Sequence, residues 1–197
     1  MAGLHPALLV LASSSPRRRE LLAQIGITPS RIASPDIDEC ARCGELPRAY
    51  ALRMAIEKAA AVERAPGEAV LAGDTVVALG RRILPRAADA AEVRGCLTLL
   101  SGRRHRVFSA VALVDGEGRV RHRISETILI FKRLHADEIT AYAASGEGEG
   151  KAGGYAIQGR AAIFVSWLAG SHSGVVGLPL AETAVLLTAA GLRSDHG

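Results

Sequence analysis

Ala7-Leu8-Leu9-Val10-Leu11-Ala12-Ser13-Ser14-Ser15-Pro16-Arg17-Arg18 begins as an unbroken apolar run and ends as the start of a helix. A run of that length closed by a turn signal predicts a short buried strand over Ala7 to Ala12. Pro16 has its φ preset for a first helical turn, so a helix is expected to about Ile25, stopping at Gly26. The junction collects hydroxyls, free backbone N–H groups and two guanidinium groups. Cations at a helix N-terminus work against the helix dipole by about 0.3 to 1 kcal/mol each, and a bound anion removes that conflict. A plain serine cap followed by solvent-seeking arginines is the other reading.

Outward from this junction the pattern alternates. A helix is expected over Pro47 to Val62, where Ala49, Leu52, Ala55, Ile56 and Ala59 recur at helical spacing. Val70 to Leu79 reads as an apolar strand interrupted by Gly73-Asp74-Thr75, and Ala88 to Leu100 as a helix. Strands over Arg104 to Val114 and Arg119 to Phe131 are joined by Asp115-Gly116, a hairpin signal. A helix over Ala136 to Ala144, a glycine-rich loop from Gly146 to Gly154, a strand near Ala161 to Trp167 and a helix from Pro179 complete the chain. There is no internal repeat and no flexible linker, so the expectation is one α/β domain over residues 1–197, with a mixed sheet.

Composition narrows the function. The 197 residues are 49% hydrophobic and 22% charged, as in a soluble globular protein, and no stretch approaches a membrane span. The N-terminal apolar run is too short for a signal peptide, and its arginines follow instead of precede, so the cytoplasm is the expected setting. One Trp, three Tyr and three Phe leave little for a base-stacking surface, so no stable nucleic-acid complex is expected. The net charge of +4, with arginines clustered at Arg17 to Arg19, Arg81 to Arg82 and Arg103 to Arg106, suits phosphorylated small molecules. Cys40 and Cys43 form a lone C-x-x-C without the two further ligands that zinc needs.

Asp74 sits inside an apolar run, where a carboxylate costs several kcal/mol unless cations or hydrogen bonds compensate it. Capping of nearby backbone is one explanation, and a metal or catalytic role is the other. Asp36, Asp38 and Glu39 form a second acidic group that, with Asp74, could offer hard oxygen ligands to Mg²⁺ or Mn²⁺. Lys58 reads by itself as a solvated surface lysine. Lys151 lies among glycines that let backbone approach a ligand.

Four segments resemble the signatures of the Maf family of nucleotide pyrophosphatases, in the family's order. They are Leu11 to Arg18, Gly73 to Val77, Lys151 to Gly159 (KAGGYAIQG) and Val176 to Leu180. The resemblance implies an elongated mixed sheet with flanking helices and two lobes around a central cleft, related in shape to the inosine triphosphate pyrophosphatases. It implies hydrolysis between the α- and β-phosphates of a nucleoside triphosphate, a divalent cation (Mg²⁺, Mn²⁺ or Co²⁺) and a homodimer. By matching position, Asp74 is the general base, Glu39 a metal or water ligand, and Ser13, Arg18 and Lys58 part of the phosphate set. Arg17, Thr75 and Gln158 match the branch acting on dTTP and UTP. Arg86 stands where the family usually has lysine, so charge is kept while geometry changes. Rival readings are a nucleotide- or nucleic-acid-binding regulator using the same basic cleft without turnover, a phosphatase removing terminal phosphates, and a zinc or redox module.

Overall fold

The computed structural model describes residues 8–192; Ala7, the first residue of the expected strand, lies outside them. In chain order the elements are β1 (Leu8–Ala12), α1 (Pro16–Gln24), β2 (Arg31–Ala33), α2 (Pro47–Ala61), β3 (Glu68–Leu79), β4 (Arg82–Ile83), α3 (Ala90–Leu100), β5 (Arg104–Val114), β6 (Val120–Phe131), α4 (Ala136–Ala144), β7 (Val165–Ala169), α5 (His172–Val176) and α6 (Leu180–Ala189). The strands form one mixed sheet in the order β2-β1-β3-β5-β6-β7, with β4 on β3. β1 runs parallel to β2 and β3, and every other pairing is antiparallel.

Side-chain alternation along β3 assigns its two faces. Val70, Ala72, Val76 and Ala78 pack with Ala51, Ala55 and Ala59 of α2. Ala69 and Leu71 face Leu21 and Leu22 of α1 and Leu186 and Leu187 of α6. Because the α2 contact is built largely from alanines, helix and sheet approach closely, and Lys58, one turn after Met54 and Ala55, is carried into the same buried face. A third cluster fills the far half of the sheet, where Val77, Val107 and Phe131 meet Leu97 of α3, Tyr142 of α4 and Phe164.

Several sequence expectations are corrected. β3 is continuous through Gly73-Asp74-Thr75, since Val70 to Ala78 pair without interruption with β5. The segment expected as a strand over Ala161 to Trp167 is a 3-10 helix over Arg160–Phe164 followed by β7. Phe164 packs onto Phe131 and Tyr142 and Ala161 is buried within a single turn, which periodicity cannot tell from a buried strand. In the β5–β6 hairpin the left-handed residue is Gly118 (φ 85), not Gly116, while the Asp115 carboxylate accepts from the Glu117 and Arg119 N–H groups. The short β2, β4 and α5 were not expected.

The register explains where the site falls. β1 ends at Ala12, opposite Ala72, while β3 runs on to Leu79. Neighbours return on that edge only where Leu84 N–H donates to Val77 O at 2.8 Å and β4 pairs with Ala78. Gly73 to Val76 therefore present an open strand edge at the carboxyl end of β1, in the manner of ligand-binding crevices of α/β sheets.

Candidate active site

Three segments converge on this open edge. The turn Ser13 to Ser15 brings α1 and its arginines. A Cβ at Gly73 would lie 3.4 Å from Arg18 Nε and 3.3 Å from Ala110 O, so the missing side chain makes room for the guanidinium crossing the strand. The glycine-rich loop is stitched to the segment after β4: Gly153 N–H donates to Pro85 O at 2.9 Å, Gly150 N–H to Ala87 O at 2.7 Å and Ala87 N–H to Lys151 O at 3.2 Å. At Gly153, with φ 67, a Cβ would fall 2.8 Å from Val77 Cγ1, so only glycine lets this loop lie down on β3. Lys151 and Arg86 are thereby placed side by side.

The resulting cleft is lined by Arg17, Arg18, Thr75, Arg86, Lys151 and Gln158, together with Ser15, Tyr155 and Gly177 and without a carboxylate. Burial lowers the Arg17 pKa and the Arg86 charge lowers it further; burial, Arg17 and Arg86 do the same to Lys151. Arg18 is pushed by burial to about 10, against the opposing pull of Asp74. The cations of this cleft repel one another. Arg17 Nε is buried without a hydrogen-bond partner among the described residues. An anion in the cleft would answer both facts.

Asp74 is 2% exposed and points to the α2 face. Its Oδ1 lies 2.8 Å from Lys58 Nζ and 3.5 Å from an Arg86 guanidinium nitrogen, and Lys58 Nζ donates also to Glu39 Oε2 at 2.8 Å. Arg86 spans the two parts of the site, lining both the cleft and an adjoining hollow with Glu39, Tyr50 and Thr75. Glu39 is held in an irregular loop by Tyr50, whose hydroxyl donates to Glu39 O at 2.7 Å, and by Arg53, which donates to Cys40 O at 3.0 Å.

Some expected residues are placed differently from their sequence reading. Lys58 is 4% exposed, not solvated. Ser13 does not line the cleft; its hydroxyl accepts from Arg18 Nη1 at 3.0 Å and from Ser15 N–H at 3.2 Å, so it orients the arginine. Of the second acidic group only Glu39 reaches the site, since Asp38 accepts from Cys40 N–H. Among the described residues no group of three or more His, Cys, Asp or Glu is gathered for a metal, and Cys40 and Cys43 are free and exposed. Sequence reasoning gave no role to Gly177, whose carbonyl accepts from Arg18 Nε at 2.8 Å, or to Tyr155 on the cleft wall, though both lie in the family-like segments, and it missed Ser109, 2.9 Å from the Thr75 hydroxyl.

A cationic cleft bordered by a buried, cation-paired carboxylate at the open edge of an α/β sheet has the charge and position that suit a phosphorylated ligand. Residues 8–190 match the family model described as Maf-like protein, and the chain belongs to that family. A Sphingopyxis alaskensis protein named dTTP/UTP pyrophosphatase is 62% identical over 93% of this chain and 97% of its own length. One of the same name from Novosphingobium aromaticivorans is 63% identical over 93% of this chain and 92% of its own. Among solved structures, a HAM1 protein from Coxiella burnetii aligns over 92% of this chain and 98% of that one, with 20% identity and a TM-score of 0.49. Among the described residues no helix is long and apolar enough to cross a membrane.

Proposed function

We propose that this chain hydrolyses dTTP and UTP between the α- and β-phosphates, releasing a nucleoside monophosphate and pyrophosphate. The observation that carries the reading is the cleft itself, where Arg17, Arg18, Arg86 and Lys151 converge without a carboxylate while Asp74 stands at its edge. A polyanion is the ligand that such a cleft favours. The names of the similar proteins supply the substrate, and Gln158 on the rim carries an amide that can match the paired donor and acceptor edge of uracil or thymine.

Asp74 and Glu39 fit a divalent cation of the Mg²⁺, Mn²⁺ or Co²⁺ kind. Each commits one oxygen to Lys58, and the second oxygen of each makes no hydrogen bond among the described residues. One or two carboxylates completed by substrate phosphates are the usual protein share of a Mg²⁺ site. Such an ion, when bound, lowers the pKa of water and offsets phosphate charge. Asp74 orients the attacking water and takes its proton. Lys58 fixes Asp74, and Arg17, Arg18 and Arg86 stabilise the charge growing on the phosphates, each preorganised donor contributing roughly 3 to 4 kcal/mol. With the reading go a homodimer, taken from the family resemblance, and a cytoplasmic setting, expected from the sequence.

The test is a panel of dTTP, UTP, CTP, ATP and GTP with each metal, followed by product identification. Preference for dTTP and UTP with loss of activity on chelation is expected. Preference for purine triphosphates would overturn the substrate assignment, and unchanged activity after chelation the metal assignment.

A further inference from the structure

We propose that Ser109 is a positioning residue that fixes the direction of the Thr75 hydroxyl and thereby favours a base carrying an imide N–H. The proposal rests on the reading that Thr75 contacts the substrate.

Ser109 lies on β5 directly opposite Thr75 on β3, and the two hydroxyl oxygens are 2.9 Å apart. Thr75 Oγ1 is also 3.4 Å from Gly177 O. A carbonyl only accepts, so Thr75 is the donor in that contact. Each hydroxyl has one proton, and Ser109 has no other side-chain partner among the described residues, so in the proposed arrangement Ser109 donates to Thr75. Ser109 is 1% exposed, and water does not compete for this bond.

The chain of bonds continues. Gly177 O also accepts from Arg18 Nε at 2.8 Å, and Arg18 Nη1 donates to Ser13 Oγ at 3.0 Å. A connected set of bonds thus runs from the floor of the sheet to the turn beside α1, with Thr75 and Arg18 both donating to Gly177 O. With its proton committed to Gly177, Thr75 offers the cleft a lone pair and no donor. That suits the N3–H of uracil and thymine and opposes cytosine, whose N3 is an acceptor. Without the Ser109 proton, Thr75 can turn and donate, and the preference weakens.

The experiment compares kcat/KM on UTP and CTP for wild type, Ser109→Ala, Ser109→Thr, Thr75→Val and the double variant Ser109→Ala/Thr75→Val. The ratio of the two substrates does not depend on the folded fraction, so a destabilised variant is still read. Ser109→Ala is expected to lose about 3- to 10-fold on UTP, the worth of one neutral hydrogen bond, with little loss on CTP. Ser109→Thr, which keeps the hydroxyl, should hold the wild-type ratio, and the double variant should match Thr75→Val because both changes break one link. A wild-type ratio in Ser109→Ala, loss of the ratio in Ser109→Thr, or losses that multiply in the double variant would overturn the proposal while leaving the Thr75 assignment standing. Wild-type kinetics in Thr75→Val on both substrates would remove Thr75 from the substrate, and the role of Ser109 with it.

Discussion

Lys58 Nζ and Asp74 Oδ1 lie 2.8 Å apart, with side-chain exposures of 6% and 3%. The pair joins α2 to the open edge of β3, and each charge is tolerated in the interior because the other is there. Removing either partner should therefore have consequences that differ in kind.

Asp74→Asn keeps the shape and leaves Lys58 paired with Glu39. Turnover should fall about 10²- to 10⁴-fold, as for loss of a general base, while the circular dichroism spectrum and a cooperative melt persist. Near-normal turnover would return Asp74 to a structural role.

Lys58→Met leaves Asp74 buried with only the half-exposed Arg86 at 3.5 Å. A buried charge that loses its partner costs roughly 3 to 5 kcal/mol, so urea unfolding should show a lower midpoint than for Asp74→Asn. An unchanged midpoint would mean that solvent reaches Asp74.

Arg86 touches Asp74 and lines the cleft. If charge is what the position supplies, Arg86→Lys should keep much of the activity and Arg86→Ala should lose roughly 3 to 4 kcal/mol of transition-state stabilisation, read as kcat/KM on dTTP. Wild-type kinetics in Arg86→Ala would shift the role to another cation such as Lys151.

His105 is 1% exposed in the third core cluster, its Nε2 3.0 Å from the Tyr155 hydroxyl, and burial lowers its pKa from 6.5 to about 4. Between these values the unfolded chain binds the proton that the folded chain refuses, so stability is full above pH 6.5 and falls toward pH 4, by up to ~3 kcal/mol. Glu45 and Glu68, held at about 2 by Arg53 and Arg31, begin to lose their contribution only as pH falls into the ordinary glutamate range. Denaturant unfolding between pH 7 and 4.5 should therefore show a decline that flattens in His105→Gln. An equal slope in both proteins would contradict the assignment.

The part of the fold legible in the sequence is the part with a strong local signal. Pro16 after a serine turn marked α1 to within a residue, and the two long antiparallel strands flank a turn signal at Asp115-Gly116. β2, β4 and α5 are segments of two to five residues, too short for a period to be detected. The site divides in the same way. Asp74 stood out as a carboxylate in an apolar run, and the arginines of α1 conflicted with its dipole. Lys58 carried no such signal, because its burial depends on alanines that bring α2 onto the sheet. Ser109 was silent for the same reason, since its meaning lies in the β3–β5 register.

The central claim, that water attacks the α-phosphorus of the bound triphosphate, is tested most directly by running the dTTP reaction in ¹⁸O-labelled water and weighing the products. The account predicts label in thymidine monophosphate and unlabelled pyrophosphate. Label in pyrophosphate, or release of labelled orthophosphate as the first product, would contradict it.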